Sequence, residues 1–150
     1  LVVVVNKWDL IDKEPETADQ MMKKWRDRAP FLKWVPFLFG SALTGQRVRK
    51  ALDLVLEVEE QRQRRIDTSE VNDVLARIVG RQPPPHSRGR QVKVRYATQV
   101  QVAPPTFLIF SNLPKELPAH YLRYVENGFR DAWTFTGTPL RVFFRESTSS

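Results

Sequence analysis

Leu1-Val2-Val3-Val4-Val5-Asn6-Lys7-Trp8-Asp9 opens the 150-residue chain. Five consecutive apolar residues, four of them β-branched, have the composition of a parallel strand buried on both faces. The run stops at once in an N-K-x-D turn. At the end of a buried strand, this turn places the Asp9 carboxylate where it can accept two parallel hydrogen bonds from guanine N1-H and N2-H. Adenine offers no such donor pair. Asn6 can tie the turn to a neighbouring loop through its amide and approach the N7 side of the base. Lys7 can lay its aliphatic stem along one face of the ring system.

Working outward, Glu16 to Arg28 reads as a helix with Ala18, Met21, Met22 and Trp25 on its apolar stripe. Val35 to Phe39 follows as a second short strand, and it delivers Ser41-Ala42-Leu43. A turn there brings the backbone N-H of Ala42 or Leu43 to guanine O6, braced by the Ser41 hydroxyl, and it rejects adenine because two donors would face each other. A helix over roughly Gln46 to Arg65 comes next, with Val48, Leu52, Val55 and Val58 on its packing side. Strand, helix, strand, helix is a segment of an α/β parallel sheet. The bland alternative for N-K-x-D is a plain strand-to-helix turn.

The phosphate half of a nucleotide site does not accompany the guanine half. No G-x-x-x-x-G-K-[ST] loop occurs, and no Asp is followed three residues later by Gly. Gly40-Ser41-Ala42-Leu43-Thr44-Gly45-Gln46-Arg47 has the right glycine spacing, but Gln46 stands at the lysine position and Arg47 at the magnesium-binding Ser/Thr. No residue is therefore assigned to catalysis, and no metal site is expected.

Composition is that of a globular chain, 41% apolar and 27% charged. With no Cys and only His86 and His120, thiolate zinc sites, disulfides and Cys nucleophiles are excluded. A reducing compartment fits, and a cytoplasmic location is expected. No apolar run reaches the ~18 residues of a membrane helix, and LVVVV lacks the basic leader of a signal peptide. A start inside a strand is the expectation for a chain cut from something longer. The net charge of +7 is uneven, since residues 68–150 carry 11 Lys/Arg against 6 Asp/Glu. The second half is thus the better partner for a polyanion.

That half begins after the polar run Glu59 to Arg65, which reads as the solvated end of a helix becoming a linker. Thr68 or Ser69 caps a helix running to about Val79, which packs Val71, Leu75 and Ile78 and is ended by Gly80 and Pro83-Pro84-Pro85. Strands are expected at Val92 to Tyr96, Thr106 to Phe110 and Leu140 to Phe144. Between the last two, a helix starts near Pro118 and buries Leu122, Val125, Phe129 and Trp133. Ser147 to Ser150 reads as a frayed end. The order α-β-β-α-β makes a compact α+β domain.

N-K-W-D, S-A-L-T-G, a long helix, a charged linker and an α-β-β-α-β unit ending in Gly137-Thr138-Pro139-Leu140-Arg141-Val142 together resemble the C-terminal portion of the EngA/Der bacterial GTPases. The resemblance covers essentially the whole chain. It implies the end of a G domain over residues 1–66 and a KH-like domain over 67–150, in a parent with tandem G domains that acts in ribosome biogenesis. GTP or GDP would be held at the base by Asn6, Lys7, Asp9, Ser41, Ala42 and Leu43, with Mg2+ only in the complete G domain. Implied partners are the large ribosomal subunit and its rRNA, with the KH-like domain docking on the first G domain and no membrane. The G-x-x-G clamp of ordinary KH domains is absent. Lys93, Arg95, Arg123, Arg130, Arg141 and Arg145 are candidate rRNA phosphate contacts, with a solvated basic surface as the equal alternative. A freestanding KH-like RNA-binding or protein-docking module is the competing function.

Overall fold

A computed structural model describes residues 1–12, 16–87 and 89–147. It divides into two compact units, Leu1–Gln61 with Phe135–Thr138, and Arg62–Thr134 with Pro139–Ser150. The division along the chain falls in the last turn of a helix, a few residues before the expected 66/67 boundary.

In the first unit, β1 (Val3–Val5) pairs parallel with β2 (Phe37–Phe39), Val3 opposite Phe37 and Val5 opposite Phe39. Between them runs α1 (Thr17–Arg28), whose Trp25 ring stacks on Phe37 and Phe39 at centroid distances of 5.7 and 6.3 Å. The stripe of Met21, Met22 and Trp25 is half-buried, as its spacing implies. The expectation that β1 is covered on both faces does not hold within the described residues. Val3 and Val5 turn toward α1, whereas Val4 alternates to the other face and is 52% exposed.

The stripe on α2 (Val48–Gln63) is a second correction. Only Val58 is buried; Val48, Leu52 and Val55 are exposed, Leu52 at 65%. α1 covers the face of the strand pair that carries Val3 and Val5, and no described residue of this unit covers the α2 stripe. The segment Phe135–Thr138 belongs to this unit through Gly137, whose N-H donates to the Trp34 carbonyl at 2.7 Å. A Cβ at Gly137 would lie 2.5 Å from Val58 Cγ2, and its φ of +69° suits glycine.

The second unit places two helices on one face of a three-stranded sheet in the order β5-β6-β7. Here α3 is Thr68–Arg81, β5 Val94–Gln101, β6 Thr106–Ser111, α4 Ala119–Trp133 and β7 Arg141–Glu146. This is the expected α-β-β-α-β order, with a short hairpin of β3 (His86–Ser87) and β4 (Arg90–Gln91) added ahead of β5. β6 runs antiparallel to β5 and parallel to β7. The core is aromatic: Phe107 stacks on Trp133 at 5.4 Å and tilts against Phe129 at 5.0 Å.

Several boundaries differ from the sequence reading for local reasons. Asp67, not Thr68 or Ser69, precedes the first turn of α3, and its carbonyl accepts the Val71 N-H. Gly80 lies inside α3, which ends at Arg81. Pro118 is the residue before α4 rather than its first, with its carbonyl accepting from Tyr121. β5 extends to Gln101, and side-chain amides from α3 and from the strand itself tie its edge to the neighbouring backbone. Asn72 Nδ2 donates to the Ala97 carbonyl and Asn72 Oδ1 accepts the Ala97 N-H, both at 2.9 Å. Buried Gln99 accepts from the Ile66 N-H at 2.7 Å and donates to the Arg64 carbonyl, so the expected solvated linker is pinned to the sheet there. Ser147 donates its N-H to the Ser111 carbonyl, continuing the line of β7 rather than fraying; Thr148 to Ser150 lie outside the described residues.

Candidate functional site

Parallel pairing brings the ends of β1 and β2 together, so the two loops leave the sheet side by side. The Gly40 N-H donates to the Val5 carbonyl and the Trp8 N-H donates to the Gly40 carbonyl, each at 3.0 Å. Beneath them the buried Trp8 ring rests on Phe39 at 4.5 Å. Trp8 occupies the unspecified position of N-K-x-D, and sequence reasoning gave it no role. It anchors the first turn to the strand that carries the second loop.

Asn6 Oδ1 accepts the Ala42 N-H at 3.0 Å, a side-chain bond across 36 residues that fixes one loop on the other. Lys7 has a left-handed backbone, φ 59°, and starts the single turn Trp8–Leu10 that carries half-buried Asp9. Ser41 is fully buried, and its Oγ accepts the Thr44 N-H at 3.3 Å. Ala42 is exposed, and the Leu43 side chain is 88% exposed. Asn6, Lys7 and Asp9 therefore share one end of the strand pair with Ser41, Ala42 and Leu43.

The glycine-spaced run Gly40 to Arg47 is not a phosphate cradle. Its ends close on each other through the Ser41 N-H, which donates to the Gln46 carbonyl, and a Cβ at Gly40 would lie 2.7 Å from that same oxygen. Arg47 turns back, donating from Nη1 to the Phe39 carbonyl at 3.1 Å. Among the described residues, no group of three or more metal-ligating side chains occurs. Nor is any helix among them long and apolar enough to cross a membrane.

The six basic residues do not converge. Arg141 and Arg145 stand on β7, Lys93 just before β5 and Arg95 as its second residue, and Arg123 on α4, which covers the other side of the sheet. Arg130 is half-buried, and its Nη1 donates to the Thr134 carbonyl at 3.4 Å. Burial lowers its pKa, with Glu126 pulling the other way. What the sequence reading missed is the aromatic company of the β7 arginines, which the alternation Arg141-x-Phe143-x-Arg145 signals.

Residues 65–145 match the model of the KH-domain-like C-terminal domain of EngA bacterial GTPase enzymes. The chain is 53% identical over 150 residues to GTPase Der of Gemmatimonas aurantiaca, covering 99% of this chain and 34% of that protein. It is 48% identical over 149 residues to GTPase Der of a Synechococcus species, covering 99% and 33%. Over 144 residues it is 45% identical to GTPase Der of Moorella thermoacetica, covering 96% and 33%. The chain spans about a third of the length of the curated relatives it matches. With the C-terminal domain matched over residues 65–145 and similarity running through both units, this chain belongs to the EngA/Der family of bacterial GTPases.

Proposed function

We propose that the first unit reads guanine for a GTP-binding, GTP-hydrolysing parent that acts in assembly of the large ribosomal subunit in the cytoplasm. In this reading the second unit is the KH-like domain, which contacts rRNA and docks on the parent's first G domain. The observation that carries the nucleotide half is the 3.0 Å bond between Asn6 Oδ1 and the Ala42 N-H, since it presets the distance between the two base-facing loops. With the Ala42 N-H so engaged, the Leu43 N-H is the donor left for guanine O6. Asp9 accepts from N1-H and N2-H, and Lys7 covers one ring face.

The residues fit the base and not the phosphates. Arg47 is committed to the Phe39 carbonyl, and the run it ends folds back on itself. Phosphate binding, Mg2+ ligation and hydrolysis are accordingly assigned to the parent outside these residues. In the intact parent, Asp9→Asn should weaken guanosine diphosphate binding by ~10- to 150-fold, the value of charge-assisted hydrogen bonds of about 1.5–3 kcal/mol. It should also raise affinity for xanthosine diphosphate, whose C2 carbonyl can accept from the new amide. Titration with fluorescent forms of both nucleotides reads the exchange. Unchanged guanosine diphosphate affinity would sink the assignment of Asp9.

A further inference from the structure

The face of the β5-β6-β7 sheet turned away from α3 and α4 carries side chains in rows set by the strand register. Tyr96, Phe110 and Arg145 form one row, because Tyr96 pairs with Phe110 and Phe110 with Arg145. Thr98, Leu108 and Phe143 form the next. Tyr96 stacks on Phe110 at 4.4 Å with 17° between the rings, yet it is 46% exposed, so its orientation is fixed while part of its surface is open to solvent. Phe143 is 53% exposed and stands between Arg141 and Arg145 on the same face of an edge strand.

Charge decides what such a surface takes. The only carboxylate on the three strands, Glu146, alternates to the opposite face, so the open face combines exposed aromatic rings with two exposed arginines and no acid. An apolar protein surface needs the rings and gains nothing from uncompensated cations. Unstacked bases on a polyanionic backbone use both. Tyr96 and Phe143 are two strands and one row apart, about 12 Å from standard sheet spacings, which separates two base-sized positions.

We infer that this open sheet face is a stacking platform for single-stranded RNA, with bases on Tyr96 and Phe143 and phosphates on Arg141 and Arg145. The inference rests on the rRNA-contact reading and names its surface and the form of RNA it takes.

The test uses the 150-residue chain and a fluorescein-labelled mixed-pyrimidine RNA of about 12 nucleotides, within the usual site size of such surfaces. The same RNA annealed to its complement is the comparator. The single strand should bind more tightly than the duplex. Tyr96→Ala and Phe143→Ala should each weaken it ~5- to 150-fold with the salt slope unchanged, while Tyr96→Phe and Phe143→Tyr retain affinity. Arg141→Gln and Arg145→Gln should each reduce the slope of log K against log salt by about 0.7. Circular dichroism of each variant separates lost contacts from lost fold. RNA binding that ignores both ring substitutions, or that is equal for single strand and duplex, overturns the platform and leaves the RNA contact standing. No binding of either RNA at low salt overturns both.

Discussion

Gly128→Ala tests the packing of the second unit at its tightest point. Gly128 sits where α4 crosses α3, and a Cβ there would lie 2.5 Å from Ile78 Cδ1 and 2.7 Å from Ile78 Cγ1. Two effects oppose each other. Alanine in a helix interior is favoured over glycine by about 0.8–1.0 kcal/mol. Overpacking a filled contact costs about 1–3 kcal/mol, and Ile78 cannot swing aside easily because a β-branched side chain on a helix has one strongly preferred χ1. The second effect should win, leaving a net destabilisation of about 1 kcal/mol. For a domain of this size that lowers Tm by about 4–8 °C. Thermal melts followed by circular dichroism read the shift. Ile78→Val removes Cδ1, the nearest atom, so the double variant should be more stable than the sum of the single changes, by at least about 0.5 kcal/mol. A Gly128→Ala chain that melts higher than the parent sequence would show that Ile78 yields and that helix propensity governs the site.

Asn72→Ala should destabilise the second unit by about 2 kcal/mol, because it leaves both polar groups of buried Ala97 without their side-chain partner; faster exchange of the Ala97 amide is the specific readout. Tyr121 donates to the Gln82 carbonyl, and burial, aided by Tyr124, pushes its pKa up from 10.0 to about 12. The unfolded chain therefore loses this proton first, so the Tyr121 contribution is complete below pH 10 and is lost as pH rises through about 12. Tyr121→Phe should flatten that part of the profile, and urea titrations that slope identically with and without the hydroxyl would refute the assignment. The isolated chain should bind GDP weakly or undetectably, since phosphate loop and magnesium supply most nucleotide affinity in such sites; submicromolar fluorescent-GDP binding would contradict this.

Periodicity made the second unit legible. Val71, Leu75 and Ile78, then Val125, Phe129 and Trp133, are buried as their helical spacing required, whereas Leu122 is only half-buried and Tyr121 is buried beside it; β6 and β7 lie where they were expected, and β5 is shifted and longer. Periodicity misled on α2, where Val48, Leu52 and Val55 mark a face that no described residue of this unit covers. A helical pattern states that a face seeks cover; it does not say which surface supplies it. The missed ends of β5 have another cause. Asn72 and Gln99 replace ladder partners with side-chain amides, and a buried amide is indistinguishable in sequence from an exposed one.

The same division separates the two candidate sites. Asn6, Asp9 and Ser41 to Leu43 are singled out in sequence because a guanine site would demand particular atoms, and particular atoms demand particular residues in order. The bond that fixes the loops on each other, Asn6 to Ala42, and the anchor beneath them, Trp8 on Phe39, depend on β1 and β2 being neighbours. Spatial adjacency, rather than residue type, makes Trp8 matter. The open sheet face is the opposite case. None of its residue types is diagnostic, and Lys93, Arg95, Arg123 and Arg130 looked as suitable as Arg141 and Arg145 while charge was the only criterion. Strand register distinguishes their surroundings. It puts Phe143 between the two β7 arginines and Phe110 between Arg145 and Tyr96, while Arg130 turns its guanidinium to its own helix end. Basic character in this domain is thus spread over several surfaces, and among the described residues the β7 arginines share theirs with the exposed rings of Tyr96 and Phe143.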